Sequence, residues 1–448
     1  MLRNWKETMR TESDIIGKKE LDDGALYGIN TVRAAENFRL GHKKTDISLI
    51  HAVATVKKAA ALTYKRICPD EKEKFAAIAA ACDKVNEGAC DDAFLTEALQ
   101  GGAGTSVNMN VNEVVANLAL LELGKKPGDY AAVHPLDDVN RGQSTNDVYP
   151  TALRIAAILK LRMLSDRCAE LQEALQKREG EFDSIEKLGR TELMDAVRIT
   201  MGEEFGAYAQ AIARDRWRLY KVEERLRQVN IGGTAVGLSN AATHRYRFGV
   251  IEELRRLTGI GLAAAEYPMD VTQNNDIFVE VSGLLKALAV NLMKISNDLR
   301  LMNSGPHGGL GEIRLKALQQ GSSIMPGKVN PVIPEMTMQC AMRVIANDTA
   351  VTLAAAHGEF ELNAFLPLIA DALLESLSLM ERAVLILRTE CVETLMPDAD
   401  ACERNLEASS AFAVDYIEKL GYDVVSRTVS ENPPKKALDI LKRMSEGK

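Results

Sequence analysis

The sequence predicts a mainly α protein built around a bundle of long helices. From Asp276 to Met302, apolar residues recur at steps of four and three, a spacing that buries one seam of a helix against its neighbours. Proline-free helical stretches run from Thr151 to Phe182, from Gly202 to Val229, and from Glu335 to about Phe365. Few segments alternate between apolar and polar residues, so strands contribute little.

Turn-forming residues divide the chain into three predicted domains, which are residues 1–142, 143–397 and 398–448. A chain of 448 residues exceeds what one hydrophobic core usually supports. The first domain mixes short helices with turns, the second contains the long helices, and the third is a short helical tail interrupted at Pro433-Pro434. A helix of ~30 residues is ~45 Å long, which is too long for one small domain to cover. Exposed seams on such helices favour a homo-oligomer.

Composition and charge exclude several classes of protein. The net charge of −8 argues against nucleic acid as the main partner. The chain contains no apolar run long enough to span a membrane, and residues 1–6 lack the apolar centre of a secretion signal. Seven scattered cysteines without a CxxC pair are typical of reduced thiols in a cytoplasmic protein. Six dispersed histidines show no metal-binding spacing, so we predict no metal.

The most informative segment runs from Gly321 to Pro331 and reads GSSIMPGKVNP. Its glycines and prolines break helix and strand alike, which predicts a hinged loop. The loop places two hydroxyls, Ser322 and Ser323, near the cation Lys328 and the carboxamide Asn330. Such a loop can close over an anionic substrate and present a base or nucleophile. An acyl-transfer serine is the rival interpretation, but no Gly-x-Ser-x-Gly elbow surrounds Ser322.

Four further segments combine glycines with hydroxyl and amide side chains. Residues 101–110 read GGAGTSVNMN before a helix predicted from Val111, and residues 143–147 read QSTND at the start of the Thr151 helix. Backbone N–H groups and hydroxyls at a helix start form a good carboxylate cradle. The other two segments are residues 189–193, GRTEL, and residues 232–237, GGTAVG.

In their order and spacing, these five segments resemble the aspartase/fumarase superfamily, and the resemblance covers nearly the whole chain. Residues 102–106, 143–147 and 231–237, together with 278–282 and 297–301, favour the aspartate ammonia-lyases. The resemblance implies a three-domain fold and a homotetramer whose central helices form one bundle. It also implies active sites shared between subunits and a small amino-acid or carboxylic-acid substrate. The reaction would eliminate ammonia or an amine without a cofactor.

The resemblance also implies a role for each candidate site residue. Ser322 would remove the proton from the β-carbon, Lys328 and Asn330 would hold the α-carboxylate, and Asn146 and Thr191 would face the leaving amine. The β-carboxylate would be held by four hydroxyls, those of Thr105, Ser144, Thr145 and Ser323. Removing a proton next to a carboxylate creates a second negative charge on it, and neutral donors aimed at its oxygens stabilise charge that exists only near the transition state.

Departures from the superfamily pattern concern the amine side of the predicted pocket. The chain has Glu192 where His or Gln usually follows Gly-Arg-Thr, and a carboxylate there would repel that of the substrate. Met194, Arg198 and Gly142 replace a common glutamine, proline and serine, respectively. In one interpretation Glu192 binds a cationic or bulkier amine. In the other it turns away or is neutralised by a local arginine.

These observations leave several functions open. An aspartase-type ammonia-lyase that produces an unsaturated acid such as fumarate fits the segments well. A lyase for a substituted or quaternary amine, such as one that expels trimethylamine from ergothioneine, would explain Glu192. A fumarate hydratase fits the GRTEL and Ser-Thr-Asn segments less well. Retention of Ser322, Lys328 and Asn330 argues against an inactive homologue with a structural or binding role.

Overall fold

The computed structural model describes residues 9–447, and most of them lie in helices. The predicted mainly α class is therefore confirmed. Residues 1–6, in which we expected no secretion signal, lie outside the described residues. No helix within residues 9–447 is long and apolar enough to cross a membrane.

The five longest helices within residues 9–447, each of 22 residues or more, correspond to the predicted bundle elements. They are α5 (Thr145–Glu181), α6 (Met201–Leu226), α9 (Asp276–Met302), α10 (Val332–Ala356) and α11 (Leu366–Leu387). The bounds of α9 are those predicted from its spacing. Along its seam Val281, Leu288, Leu292, Ile295, Leu299 and Met302 are buried, whereas Ile277 and Leu284 are half-buried.

Helix α5 begins six residues before the predicted Thr151 and continues through Pro150. Proline has no N–H, so the carbonyl of Asn146, four residues earlier, lacks its helical donor. The side chain of Asn230 replaces that donor, with Nδ2 lying 2.9 Å from the Asn146 oxygen. The helix can therefore start at Thr145 although it contains a proline.

The predicted helix from Glu335 to Phe365 is divided in two, because α10 ends at Ala356 and α11 starts at Leu366. Asn363 stabilises the break. Its Nδ2 donates to the carbonyl oxygens of Ala354 and Ala355 at 2.9 and 3.2 Å. A side chain that bonds the last carbonyls of a helix gives the chain an alternative to helical continuation.

The chain contains two compact units. Unit 1 comprises the described residues up to Arg162 together with Leu219–Leu285 and Ile345–Ser378. Its core surrounds α2 (Ile47–Ile67), which packs against α3 (Lys72–Asn86), α4 (Thr105–Glu122) and α7 (His244–Thr258). The shorter elements of unit 1 are β1 (Met9–Ser13), β2 (Lys18–Asp22), α1 (Ile29–Asn37), α2 (Ile47–Ile67), α3 (Lys72–Asn86), α4 (Thr105–Glu122), β5 (Gln228–Val229), α7 (His244–Thr258), β6 (Ala263–Ala264) and α8 (Pro268–Gln273). Strands β1 and β2 pair antiparallel, and β5 and β6 pair parallel.

Unit 2 comprises Met163–Arg218, Lys286–Val344 and the described residues from Leu379 onward. Its shorter elements are β3 (Glu186–Thr191), β4 (Met194–Thr200), β7 (Ile313–Arg314), β8 (Met396–Pro397), α12 (Ala399–Glu407), α13 (Ile417–Leu420), α14 (Tyr422–Glu431) and α15 (Pro434–Glu446). Strands β3 and β4 form an antiparallel hairpin, and β7 pairs antiparallel with β8. The interruption expected at Pro433-Pro434 separates α14 from α15. The division into domains 1–142, 143–397 and 398–448 stays a prediction.

Candidate active site

The first group of predicted site residues lies in unit 1 at two helix starts. Thr105 is the first residue of α4, and Thr145 is the first residue of α5. Helix α4 therefore begins six residues before the predicted Val111. Gly104 precedes it with a φ of +90°, and a Cβ on Gly104 would lie 2.3 Å from the ring of Tyr149. Glycine at position 104 thus lets the start of α4 lie directly against the first turn of α5.

Asp147 joins the start of α5 to the glycine-rich turn 232–237. Its carboxylate accepts the N–H groups of Ser144 at 2.9 Å, Gly232 at 3.0 Å and Thr234 at 2.9 Å. Burial raises the pKa of this carboxyl to about 6, against the lowering effect of those donors. Two segments that the sequence indicated separately therefore form one substructure.

The hydroxyl and amide groups of this substructure differ in their exposure. Thr105 is exposed, and its Oγ1 donates to the carbonyl of Gly102 at 2.8 Å. Ser144 and Asn146 are half-buried, and the Asn146 amide donates to the carbonyl of Ala235 at 2.8 Å. Thr145 is buried, and its Oγ1 accepts a hydrogen bond at 3.1 Å from Asn108. The four predicted residues of unit 1 therefore gather at two positively polarised helix starts.

The second group lies in unit 2 on the loop between β7 and α10. A bond of 2.9 Å from the Gly321 N–H to the Lys328 carbonyl draws the two ends of this loop together. Asn330 adds a bond of 3.0 Å from its Nδ2 to the Gly321 carbonyl. A Cβ at Gly321 would lie 2.5 Å from the Lys328 oxygen, so this closure requires glycine. The loop is thus tied at its base, whereas residues 323–329 are exposed.

Within this loop, the Ser322 hydroxyl oxygen accepts two backbone hydrogen bonds. The donors are the N–H groups of Ile324 at 3.2 Å and Met325 at 3.0 Å. Lys328 is exposed, and its ammonium bonds Asn330 Oδ1 at 2.5 Å. The four predicted loop residues Ser322, Ser323, Lys328 and Asn330 therefore lie on one loop, on which Lys328 and Asn330 are in direct contact.

Thr191 and Glu192 lie at the tip of the β3–β4 hairpin in unit 2. Thr191 pairs with Met194, which leaves Glu192 and Leu193 as a two-residue turn with φ values of +54° and +64°. Both turn residues are left-handed, a conformation that costs energy without glycine and occurs often at functional sites. Glu192 is exposed, and within residues 9–447 its carboxylate makes neither a hydrogen bond nor an ion pair.

A buried ionic cluster fixes the base of this hairpin. Lys187 bonds Glu204 at 2.7 Å and Glu312 at 2.9 Å, and Arg190 bonds Glu312 at 2.8 Å. Glu312 is fully buried, and a carboxylate in such a place requires paired cations. Arg190 of the GRTEL segment therefore anchors the strand, which leaves Thr191 and Glu192 as the residues presented at the tip.

Two of the departures in sequence have structural explanations away from the hairpin tip. Arg198 pairs with Leu188 near the base of the hairpin, and its guanidinium lies 3.6 Å from Glu186 and 3.5 Å from Asp415. The expectation that Arg198 shares a pocket with Glu192 is therefore wrong.

Gly142 lies in unit 1 with a φ of +66°, and a Cβ there would lie 2.3 Å from the Tyr64 hydroxyl oxygen. Its backbone and this neighbour account for the absence of serine.

We expect Gly142→Ser to lower the free energy of unfolding by about 1–3 kcal/mol, through the left-handed backbone and the contact with Tyr64. Tyr64 cannot move away easily, because its ring stacks between Phe75 at 5.3 Å and Tyr246 at 4.9 Å. Adding Tyr64→Phe removes the obstructing oxygen and should recover the part of the loss that the contact causes. Denaturant unfolding of the two single variants and the double variant measures this coupling. If Gly142→Ser lowers the free energy of unfolding equally with and without the Tyr64 hydroxyl, the coupling between the two positions is contradicted.

Sequence reasoning missed a buried polar cluster beneath Thr145. It contains Lys57, Asn108, Asn112 and Asn140, and the first three are at most 2% exposed. The signal was present at Lys57, which lies in the buried row of α2 between Val53 and Tyr64. A lysine at such a position is rare without a specific partner. Within residues 9–447, no three His, Cys, Asp or Glu side chains are placed to hold a metal ion.

Residues 17–346 match the protein family described as Lyase. The chain belongs to this family. It is 41% identical over 431 residues to the aspartate ammonia-lyase of Bacillus subtilis, covering 96% of this chain and 90% of that enzyme. It is 43% identical over 418 residues to the aspartate ammonia-lyase of Helicobacter pylori strain J99, covering 93% and 89%. The resemblance to the aspartase/fumarase superfamily is thereby confirmed.

Solved structures agree with this assignment. The fold matches a crystal structure described as fumarate lyase:delta crystallin from Brucella melitensis bound to cobalt, with a TM-score of 0.93 and 42% identity over 98% of both chains. It also matches a class II fumarase from Schistosoma mansoni, with a TM-score of 0.92 and 28% identity over 97% of this chain and 96% of that one. This member of the lyase family is therefore an enzyme, a carbon–nitrogen lyase of the aspartase type.

Proposed function

We propose that the enzyme eliminates ammonia or an amine from an amino-acid substrate to give an unsaturated acid such as fumarate, with Ser322 as the base. The observation that carries this proposal is the pair of backbone N–H groups directed at the Ser322 hydroxyl oxygen. A serine must lose its proton before it can accept one from carbon. Two donors to the oxygen stabilise the resulting alkoxide and so lower the pKa of the hydroxyl.

The cluster at the starts of α4 and α5 supports the other half of the reaction. After the β-proton leaves, the β-carboxylate carries a second negative charge. The hydroxyls of Thr105, Ser144 and Thr145 lie at helix N-termini, where the helix dipole favours negative charge. Neutral hydroxyls stabilise the dianion more than the substrate carboxylate, so the barrier falls without excessive substrate binding. In this proposal Ser323 completes the β-carboxylate contacts, and Lys328 and Asn330 hold the α-carboxylate.

We also propose that the enzyme is a homotetramer whose sites combine segments from different subunits. Each unit leaves large apolar side chains exposed on its long helices. In unit 1, Leu159 is 45% and Leu353 is 56% exposed, and in unit 2, Met163 is 53% and Val290 is 53% exposed. Apolar residues on neighbouring helices that remain exposed in one chain support burial against other copies.

A substrate panel tests the proposed reaction. Purified enzyme is incubated with L-aspartate, N-substituted aspartates, quaternary-amine amino acids and L-malate. The ultraviolet absorbance of the conjugated acid is recorded together with release of the amine. Formation of an unsaturated acid with equimolar ammonia or amine supports the proposal. Turnover of malate alone would indicate a hydratase instead of the proposed lyase. The absence of turnover with every amino acid would contradict the proposed reaction.

A substituted or quaternary amine is the second candidate leaving group, and Glu192 is the observation that favours it. Its carboxylate is exposed at the strained hairpin tip and is not neutralised by a cation within residues 9–447. An ionised carboxylate there attracts a cationic amine and repels the α-carboxylate of aspartate. Each effect is about 1–3 kcal/mol once a bound substrate partly buries the exposed carboxylate.

We therefore expect weak activity on L-aspartate and a gain of about 10- to 100-fold in kcat/KM for aspartate in Glu192→His, since 1.4 kcal/mol is a factor of ten. Histidine suits the position, because it tolerates the left-handed backbone better than most residues. Steady-state kinetics on aspartate and on the best substituted amine of the panel give the change in preference.

Asp195→Asn provides the matched control, because it removes a carboxylate from exposed β4 of the same hairpin without altering the tip. Its substrate preference should equal that of the native enzyme. If the native enzyme turns over aspartate at ordinary aspartase rates and Glu192→His does not change the substrate preference, Glu192 has no role in substrate choice. The enzyme is then a simple aspartase.

A further inference from the structure

Lys57 is a fully buried cation in the middle of α2, and no role in the site has been assigned to it so far. Its Nζ donates to Asn140 Oδ1 at 2.7 Å and to Gln143 Oε1 at 3.0 Å. Both partners are neutral amides, and within residues 9–447 no carboxylate pairs with the ammonium directly. Burial accordingly lowers the pKa of Lys57 to about 7, although Asp147 opposes that shift. A buried cation without a paired anion destabilises the fold, which points to a functional reason for it.

A chain of hydrogen bonds leads from Lys57 to the proposed carboxylate pocket. Asn140 Oδ1 accepts from Lys57 and also from Asn108 Nδ2 at 3.1 Å and Asn112 Nδ2 at 3.3 Å. The same Asn108 amide group donates to Thr145 Oγ1 at 3.1 Å. Three hydrogen bonds therefore connect a buried ammonium with the hydroxyl at the start of α5.

The protonated lysine and one backbone carbonyl set the direction of each bond in this chain. A lysine ammonium has three donors and no acceptor, so Asn140 presents its oxygen to it, while the Asn140 Nδ2 donates to the Gln143 carbonyl at 3.2 Å. Asn108 must then present its NH₂ group to that oxygen. The same NH₂ group donates to the Thr145 hydroxyl oxygen, so the Thr145 hydroxyl proton is free to point elsewhere.

Asn108 holds this orientation at a local cost. Its Oδ1 is buried and has no hydrogen-bond partner among the described residues. An unsatisfied buried acceptor normally destabilises a protein. Asn108 keeps this orientation despite that cost, which is consistent with an orientation imposed by the two acceptors it faces, Asn140 Oδ1 and Thr145 Oγ1.

We propose that Lys57 is a positioning residue that fixes the Thr145 hydroxyl as a donor toward the substrate carboxylate. The proposal rests on the proposed function, in which Thr145 binds the β-carboxylate. With its oxygen engaged by Asn108, Thr145 can stabilise the second negative charge only by donating. Without the lysine, only longer bonds hold Asn140, one from Asn112 at 3.3 Å and one to the Gln143 carbonyl at 3.2 Å. Asn140 and Asn108 can then reverse more readily, and the Thr145 proton can turn inward to an amide oxygen.

Lys57→Met, which replaces the lysine by an apolar side chain of similar length, tests this role. We expect kcat on the best substrate of the panel to fall roughly 10- to 100-fold, as for loss of one donor to a developing anion. The inhibition constant of succinate, which carries two ground-state carboxylates and no amine, should change less than about threefold. The thermal midpoint should change little, because removal of a buried charge offsets the loss of the donor to Gln143. A lower midpoint with native kcat would show a structural role instead.

Lys58→Met is the matched control. Lys58 is the next residue of α2, but its ammonium pairs with Asp83 outside the polar cluster. We expect native kcat in this variant. A comparable fall in both variants would show that any lysine lost from α2 disturbs the enzyme, and it would overturn the proposal.

A double-mutant cycle separates failure of this proposal from failure of the proposed function. If Lys57 acts through Thr145, the effect of Lys57→Met on kcat should largely vanish in a Thr145→Val background. Full additivity would overturn the role of Lys57 while leaving Thr145 in the pocket. Native kcat in Thr145→Val alone would instead remove Thr145 from the proposed carboxylate site.

Two isosteric substitutions test the bond direction without altering the lysine. Asn140→Asp keeps the acceptor that faces Lys57 and Asn108, whereas Asn108→Asp replaces the donor to Thr145 with an acceptor that draws the Thr145 proton inward. Both variants add one carboxylate to the same buried cluster. We expect kcat to be at least tenfold lower in Asn108→Asp than in Asn140→Asp. Equal losses would contradict the proposed polarity even if Lys57→Met did not fold.

Discussion

Ser322→Ala is expected to lower kcat by about three or more orders of magnitude, because in the proposed mechanism Ser322 is the group that takes the β-proton. The fold should tolerate the change. Ser322 lies on a loop, and the bonds between Gly321, Lys328 and Asn330 that tie the base of the loop do not involve the hydroxyl. Steady-state kinetics with the best amino-acid substrate measure the loss, and thermal unfolding shows whether the protein stays folded.

Ser323→Ala is the informative comparison, since it removes the same hydroxyl from the adjacent residue of the same loop. In the proposed mechanism Ser323 contributes one donor to the β-carboxylate, so its removal should cost roughly ten- to a hundredfold in kcat/KM. Turnover near the native rate in Ser322→Ala would exclude Ser322 as the base. Equal losses in the two variants would mean that the loop, and not one hydroxyl, is what the reaction needs.

Mixing two inactive variants is expected to restore activity if sites combine segments from different subunits. Ser322→Ala damages the loop in unit 2, and Thr105→Val damages the start of α4 in unit 1. After subunit exchange in a homotetramer, each of the two segments is intact in half of the copies. About one quarter of the sites should then be complete, and roughly that fraction of native activity should return.

A mixture of Ser322→Ala with Lys328→Met serves as the control, because both changes lie on the same loop. One chain supplies that loop to any site, so no combination of these chains yields an intact loop. Recovery of activity in the mixture of Ser322→Ala with Thr105→Val, but not in the mixture with Lys328→Met, supports sites shared between subunits. No recovery in either mixture, after mass spectrometry verifies the exchange, would show that one chain builds the whole site.

The helical part of the fold was largely predictable, because the period of apolar residues reports burial directly. The bounds of α9 follow from its spacing. The starts of α4 and α5 were predicted six residues late, since their first turns carry polar residues that a periodic pattern does not count. The helical conformation of those turns depends on distant groups such as Asn230, which supplies the bond that Pro150 cannot.

For the site, sequence motifs identified segments but not their connections. Ser322, Lys328 and Asn330 are neighbours along the chain, and in the structure Asn330 contacts both Lys328 and Gly321, the residue next to Ser322. Lys57 is remote from every motif and contacts Asn140 and Gln143 only after the chain folds. Composition gives no information about such a contact. Gly142 and Arg198 were interpreted as pocket residues, but a dihedral angle explains the first and an ion pair the second.

The proximity of Gly142 to the Tyr64 hydroxyl also constrains the order in which this protein could change by mutation. A serine at position 142 would be disfavoured while the hydroxyl remains, and a phenylalanine at position 64 would remove that barrier at little cost. The two positions are therefore epistatic. The order in which Tyr64→Phe comes first is accessible, whereas the order in which Gly142→Ser comes first passes through a less stable intermediate. Consensus design that restores serine at one position alone would select that less stable intermediate.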